Sequence, residues 1–240
     1  MQAIILAGGQ GTRLRPYTTL LPKPLMPIGD MPIIEVIIRQ LRRAGFDDLV
    51  VATGYLGNLI QAFFGDGQRF GGPIRFVIEE RPLGTAGAIA LIPNLGEHFI
   101  TVNGDTLTTL DYRAFLNFHR QSGALATIAT YRRQNPVDFG VLECDSEGKL
   151  LQYIEKPVHS YRVSMGVNAF RAEVLRYLRP GEHKDMPELI RELVADGQTV
   201  LCYEPDCFWL DIGRPSDYER ALEVFQERRV EFLGDEGCGS

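Results

Sequence analysis

Gln2-Ala-Ile-Ile-Leu-Ala7 runs without interruption into Gly8-Gly-Gln-Gly-Thr-Arg13. An apolar run of this length predicts a β-strand. The small residues behind it let backbone approach a ligand closely, with N–H groups free to face phosphate oxygens. Arg13 adds a planar cationic fork. The turn is not a Walker A loop, because no Gly-Lys-Ser/Thr closes it, and it lacks the G-x-G-x-x-G spacing of dinucleotide folds. A tight strand-to-helix turn without a ligand is the plain alternative. Pro22-Lys23-Pro24 weighs against it: prolines on both sides fix the backbone around one lysine, which makes Lys23 a positioned charge.

Outward from this turn, strand-like and helix-like segments alternate in βαβ rhythm. Helices are predicted over 32–44 and 56–64, and strands over 49–53, 75–78 and 99–102. In the first helix Ile33, Ile34, Val36, Ile37 and Leu41 fall on one side, and Gly45 suits its C-cap. Asp111 is a good N-cap for a helix to about residue 122. Strands over 126–131, 140–144 and 150–154 then replace the parallel rhythm with hairpins. Short strands over 168–170, 200–203 and 207–210 follow, with helices over 187–196 and 216–228. Ser216 and Glu219 fit a capping box for the last of these. The chain reads as one α/β domain over 1–233, with a frayed tail over 234–240.

At 240 residues, with 45% hydrophobic and 23% charged residues, the composition is that of an ordinary soluble globular domain. A net charge of −6 disfavours nucleic acid and anionic membranes, so a polyanionic ligand must be met by local Arg, Lys and N–H groups. The N-terminal apolar run is too short for a signal peptide, which implies a cytoplasmic protein. Cys144, Cys202, Cys207 and Cys238 have no metal-type spacing and read as free thiols. A homo-oligomer is compatible with all of this.

Leu6-Ala-Gly-Gly-Gln-Gly-Thr-Arg-Leu14, with Pro16, Thr18 and Pro22-Lys-Pro24, resembles the signature of the sugar-1-phosphate nucleotidyltransferase family. Pro82-Leu-Gly-Thr-Ala-Gly87, Val102-Asn-Gly-Asp105, Phe139-Gly-Val141, Glu155-Lys-Pro157 and Trp209-Leu-Asp-Ile-Gly213 resemble later motifs of that family in the same order. The resemblance covers the chain to about Phe225. It implies a Rossmann-like fold with a mixed, mostly parallel central sheet flanked by helices. A nucleotide-binding part would occupy about 1–110 and a sugar-phosphate part about 111–233. The implied reaction joins a nucleoside triphosphate to a sugar 1-phosphate, releasing pyrophosphate.

The resemblance also implies roles. Arg13 and Lys23 would be catalytic, and Leu6, Gly8, Gly9, Gly11, Thr12, Glu79, Gly84, Thr85 and Asp105 would bind the nucleotide. Gly140, Glu155, Lys156 and Ser164 would meet the sugar phosphate. Asp105 and Asp211 both follow predicted strands and would share a Mg2+ ion. A carboxylate at Glu79 can accept from both N1–H and the 2-amino group of guanine, which favours GTP. The motif around Glu79 resembles mannose- and heptose-1-phosphate guanylyltransferases. Uridylyl or thymidylyl transfer and a non-catalytic nucleotide-sugar-binding subunit are the other readings. Ser164-Met-Gly-Val-Asn168 departs from the Asn-x-Gly-x-Tyr pattern of relatives, which leaves the sugar open.

Overall fold

The structure, a computed structural model, describes residues 1–234, so the expected tail lies outside the described residues apart from Gly234. Its centre is a seven-stranded sheet in the order Val200–Tyr203, Ala126–Pro136, Val158–Arg171, His98–Asn103, Gln2–Ala7, Asp48–Thr53, Ile74–Ile78. The first strand of the chain is parallel to Asp48–Thr53 on one side and to His98–Asn103 on the other. Val158–Arg171 alone runs against its neighbours, so the sheet is mixed and mostly parallel. The chain winds from the first strand to one edge and then returns to its other side. The gap between Gln2–Ala7 and His98–Asn103 is therefore a switch point, where open α/β sheets place ligands.

Side chains alternate across the first strand: Ala3 and Ile5 enter one core, Ile4 the other. Burial on both faces explains why the segment is apolar without a polar alternation. The helix Ile33–Arg43 covers one face with Ile34, Ile37, Ile38 and Leu41. Its Ile33 and Val36 turn instead into a third cluster with Leu14, Ile212 and Phe225. The helix is thus buried on two sides, beyond the single face its spacing predicts. Ile89, Val174, Leu189 and Leu193 cover the opposite face of the sheet.

Asp111 caps the helix Tyr112–Ser122 as expected, its Oδ1 accepting from Ala114 N at 2.9 Å. Two expectations are corrected. The last long helix begins at Pro215, and Asp217 accepts from the Arg214 N–H at 2.8 Å in place of the Ser216–Glu219 pair. Proline's fixed φ suits the first helical position, and starting there moves the capping acid to Asp217. Second, Ala126–Pro136 and Val158–Arg171 are far longer than their apolar cores, pairing from Ser164↔Thr130 out to Val158↔Pro136 as an exposed ribbon. Between its two arms the chain forms the hairpin Val141–Cys144 and Leu150–Ile154.

Candidate active site

The strands Gln2–Ala7 and His98–Asn103 end side by side: Leu6 pairs with Asn103, and Gly104 N donates to Leu6 O at 2.9 Å. Both chains then turn away, and a cleft of about 400 Å³ opens between the turns. Leu6, Gly8, Gly9, Gly11, Thr12, Arg13, Lys23, Glu79, Gly84, Thr85 and Asp105 all line it. Every residue predicted for nucleotide binding and catalysis is therefore brought to one place.

Local bonding sets each of them. Gly11 O accepts from Leu14 N at 2.9 Å and from the Thr18 hydroxyl at 2.8 Å, which closes the turn Thr12–Leu14. Leu14 is buried in the third core cluster and so anchors Arg13 beside the cleft. Lys23 begins a second short turn, closed by Leu25 N to Pro22 O at 2.8 Å. Its side chain is buried and its ammonium pairs with Asp105 Oδ2.

Asp105 precedes the strand Thr106–Thr108, which pairs antiparallel with Trp209–Asp211 so that Asp211 faces Thr106. This ladder brings Asp211 to Asp105. Trp209–Asp211 overlaps the strand predicted over 207–210, whereas Thr106–Thr108 is too short for its periodicity to be read. Burial, and then the negative charge of Asp105, hold the Asp211 carboxyl above its ordinary range, against the opposing pull of Lys23 and Arg13. Arg13 Nη1 and Asp211 Oδ2 both stand over Gly213, 3.2 and 3.0 Å from where a Cβ would lie. Two carboxylates so placed are a hard oxygen donor set, which fits Mg2+ and would suit a softer metal poorly.

On the far wall, Glu79 Oε2 accepts from Leu83 N at 2.9 Å, and Oε1 lies against Gly8. A Cβ on residue 8 would stand 2.3 Å from that oxygen, so a side chain there would push the Glu79 carboxylate from its place. Burial raises the Glu79 pKa, while the Leu83 N–H and His183 oppose the rise. Gly84 (φ +73°) opens the short helix Gly84–Gly87, and a Cβ there would meet Lys184 O at 2.6 Å. Thr85 is anchored too: its N–H donates to Asp185 Oδ1 at 3.3 Å, and its hydroxyl accepts from Met186 N at 2.8 Å.

His183, Asp185 and Asn103 also line the cleft and were not expected there. Asp185-x-x-Glu188 is legible as a helix cap, with Asp185 N donating to Glu188 Oε2 at 2.8 Å. Nothing in that spacing tells that the cap faces Gly84. Asn103 lies within the quoted Val102–Asp105 motif, and its amide packs on Gly166.

Gly140, Glu155, Lys156 and Ser164 do not line the cleft. Gly140 packs on the Tyr153 hydroxyl, which donates to Glu155 Oε2 at 3.1 Å, so the first two are joined through the hairpin. Lys156 is exposed and holds φ +46°, a left-handed conformation rarely taken by lysine. Ser164 Oγ accepts from Gly166 N at 3.3 Å and reaches the cleft only through Gly166 and Asn103.

A family profile described as nucleotidyl transferase matches residues 2–228. The chain is 34% identical over 250 residues to a UTP–glucose-1-phosphate uridylyltransferase of Synechocystis, covering 96% of this chain and 64% of that protein. It is 32% identical over 226 residues to a mannose-1-phosphate guanylyltransferase of Mycobacterium tuberculosis, covering 92% and 63%. It thus spans a little under two thirds of the length of these relatives. A Bacillus anthracis structure, provisionally assigned as a glucose-1-phosphate thymidylyltransferase and solved with sucrose, shares the fold at a TM-score of 0.76 and 24% identity, covering 100% of this chain and 98% of that one. Among the described residues, no helix is long and apolar enough to cross a membrane.

Proposed function

Because this chain belongs to the nucleotidyl transferase family, we propose that its cleft joins a nucleoside triphosphate to a sugar 1-phosphate, giving a nucleotide sugar and pyrophosphate. One observation carries the reading: the Gly8–Arg13 turn, Lys23 and Asp105 line a single cleft at the switch point of the sheet. In the reaction an oxygen of the sugar phosphate attacks the α-phosphorus in line. The bond from that phosphorus to the oxygen bridging it to the β-phosphate breaks, and pyrophosphate departs. The attacking oxygen is already anionic near neutral pH, so positioning and charge neutralisation supply most of the acceleration.

Backbone N–H groups of the 8–12 turn would hold phosphate oxygens, and Arg13 would neutralise the departing pyrophosphate. Lys23 would face the reacting phosphates. Asp105 and Asp211 would hold Mg2+, which supplies charge neutralisation across the phosphate oxygens. Lys156 and Glu155, with Gly140 and Ser164, would receive the sugar phosphate. The left-handed backbone at Lys156, an outlier for a lysine, supports this as a position under functional constraint.

Glu79 supports GTP as the nucleotide, with mannose 1-phosphate or a manno-configured heptose 1-phosphate as the acceptor. UTP is the second reading: Glu79 Oε2 already accepts from Leu83 N, and one relative is a uridylyltransferase. The test is pyrophosphate release across four nucleoside triphosphates and a panel of sugar 1-phosphates in magnesium, with chelator as control. GTP with a manno-configured sugar should turn over fastest. Faster turnover of UTP or dTTP overturns the base assignment, and no release in any combination favours a non-catalytic binding subunit.

A further inference from the structure

Two charged groups of the cleft, Lys23 and Asp105, are partners for one another. Lys23 is 7% exposed between two prolines, and its ammonium has one hydrogen-bonded partner among the described residues, Asp105 Oδ2. Arg13 stands nearby over Gly213 but makes no bond to Asp105. A divalent ion reaching Asp105 must therefore displace an ammonium from the oxygen it needs. The displaced lysine would be left as a buried charge without a counter-ion, which is costly. A triphosphate entering alone meets the mirror problem: drawing Lys23 away leaves carboxylates facing phosphate oxygens.

We propose that the Lys23–Asp105 ion pair is a latch that closes the metal and triphosphate subsites together, so that each ligand binds strongly only in the presence of the other. The inference rests on the reading of the cleft given above, with Asp105 as a metal ligand. The exchange balances without a proton: Lys23 passes from carboxylate to phosphate as Asp105 passes from ammonium to metal. No covalent bond changes. The consequence is that free divalent metal does not fill the site, and the metal–nucleotide complex is the species admitted.

The test uses Mn2+ as a spectroscopic probe, titrated into the full chain without nucleotide while the electron paramagnetic resonance signal of free Mn2+ is followed. Lys23→Met frees Asp105 and should bind Mn2+ about tenfold more tightly than the unmodified chain, the scale of one partly buried ion pair. Arg13→Met removes the cation beside Asp211 but leaves the Lys23–Asp105 pair intact, so it should tighten Mn2+ binding less than Lys23→Met does, by under about threefold. Lys23→Gln, which keeps a hydrogen-bond donor without the charge, repeats the measurement should the methionine variant fold poorly by circular dichroism. In chelator, Asp105→Asn should bind GTP more tightly than the unmodified chain. Equal tightening in Lys23→Met and Arg13→Met would reduce the effect to a general field and overturn the latch. No tightening in either lysine variant would overturn it too. If Asp105→Asn leaves Mn2+ binding untouched in the Lys23→Met background, the metal reading of Asp105 itself fails, a result distinct from failure of the latch alone.

Discussion

The cleft and the ribbon beside it are built by opposite means. Around the cleft, buried strands end next to one another, and the turns beyond them are closed by backbone bonds and anchored by Leu14 and Thr85. The ribbon and its hairpin are held by strand pairing with little packing, leaving Phe139 76%, Leu151 65% and Tyr153 61% exposed. A site of the first kind holds its geometry without a ligand. A segment of the second kind keeps its main-chain path but gains little from the core.

The largest effect that follows is catalytic and falls on the cleft. Arg13→Met should lower kcat by about 10²–10³, the usual scale for removing one preorganised charge from a transition state, with little change in KM for the sugar 1-phosphate. Steady-state pyrophosphate release measures it. A loss under about fivefold would place the departing pyrophosphate elsewhere and erase the contrast at its root.

The next effect concerns the body that carries the cleft. His119 is buried under the sheet, its Nδ1 paired with the Thr127 hydroxyl at 2.8 Å. Burial, and then the neighbouring His98 ring 5.3 Å away, push its pKa from 6.5 down to about 4. A base depressed in the folded state binds fewer protons there than when unfolded, so folding stability is full above pH 6.5 and falls as pH drops toward 4. The loss should reach about 3 kcal/mol from this group. Urea unfolding from pH 7 to 4 reads it, and His119→Gln should flatten the profile. An unchanged slope in that variant would shift the acid sensitivity to another group.

The same contrast governs what was legible beforehand. The cleft motifs were readable because glycines, prolines and charges that a ligand requires also mark turns, and Gly8, Arg13, Lys23 and Asp105 are turn residues that meet in space. The core strands were readable because burial on both faces leaves an unbroken apolar run. The outer ribbon was not, since His159, Ser160, Tyr161 and Arg162 alternate with no apolar face and their strand is specified by the partner across from them. Asp185 was not read as a cleft residue, because its contact with Thr85 joins positions 100 residues apart. At Glu79 the type of side chain was plain, its bond to Leu83 was not.

A third test acts on the ribbon itself. Lys156→Met should raise KM for the sugar 1-phosphate about tenfold, the scale of one charge-assisted contact to phosphate, while GTP affinity stays unchanged. Isothermal titration with GTP, beside kinetics in sugar 1-phosphate, separates the two. A matching loss of GTP affinity would mean that the ribbon shapes the cleft as well.

The smallest effect is the sharpest check that the ribbon owes little to packing. Leu151 lies on the hairpin strand Leu150–Ile154, 65% exposed, and belongs to none of the three core clusters. Serine in its place removes apolar surface that water already touches, so unfolding free energy should change by less than about 0.5 kcal/mol. Leu193, buried under the sheet, should lose about 2–5 kcal/mol on truncation to alanine. If Leu151→Ser instead costs more than about 1.5 kcal/mol by urea unfolding, that side chain is covered in solution and the ribbon has a partner surface. Concentration dependence of the unfolding midpoint would then identify a second copy of the chain as that cover.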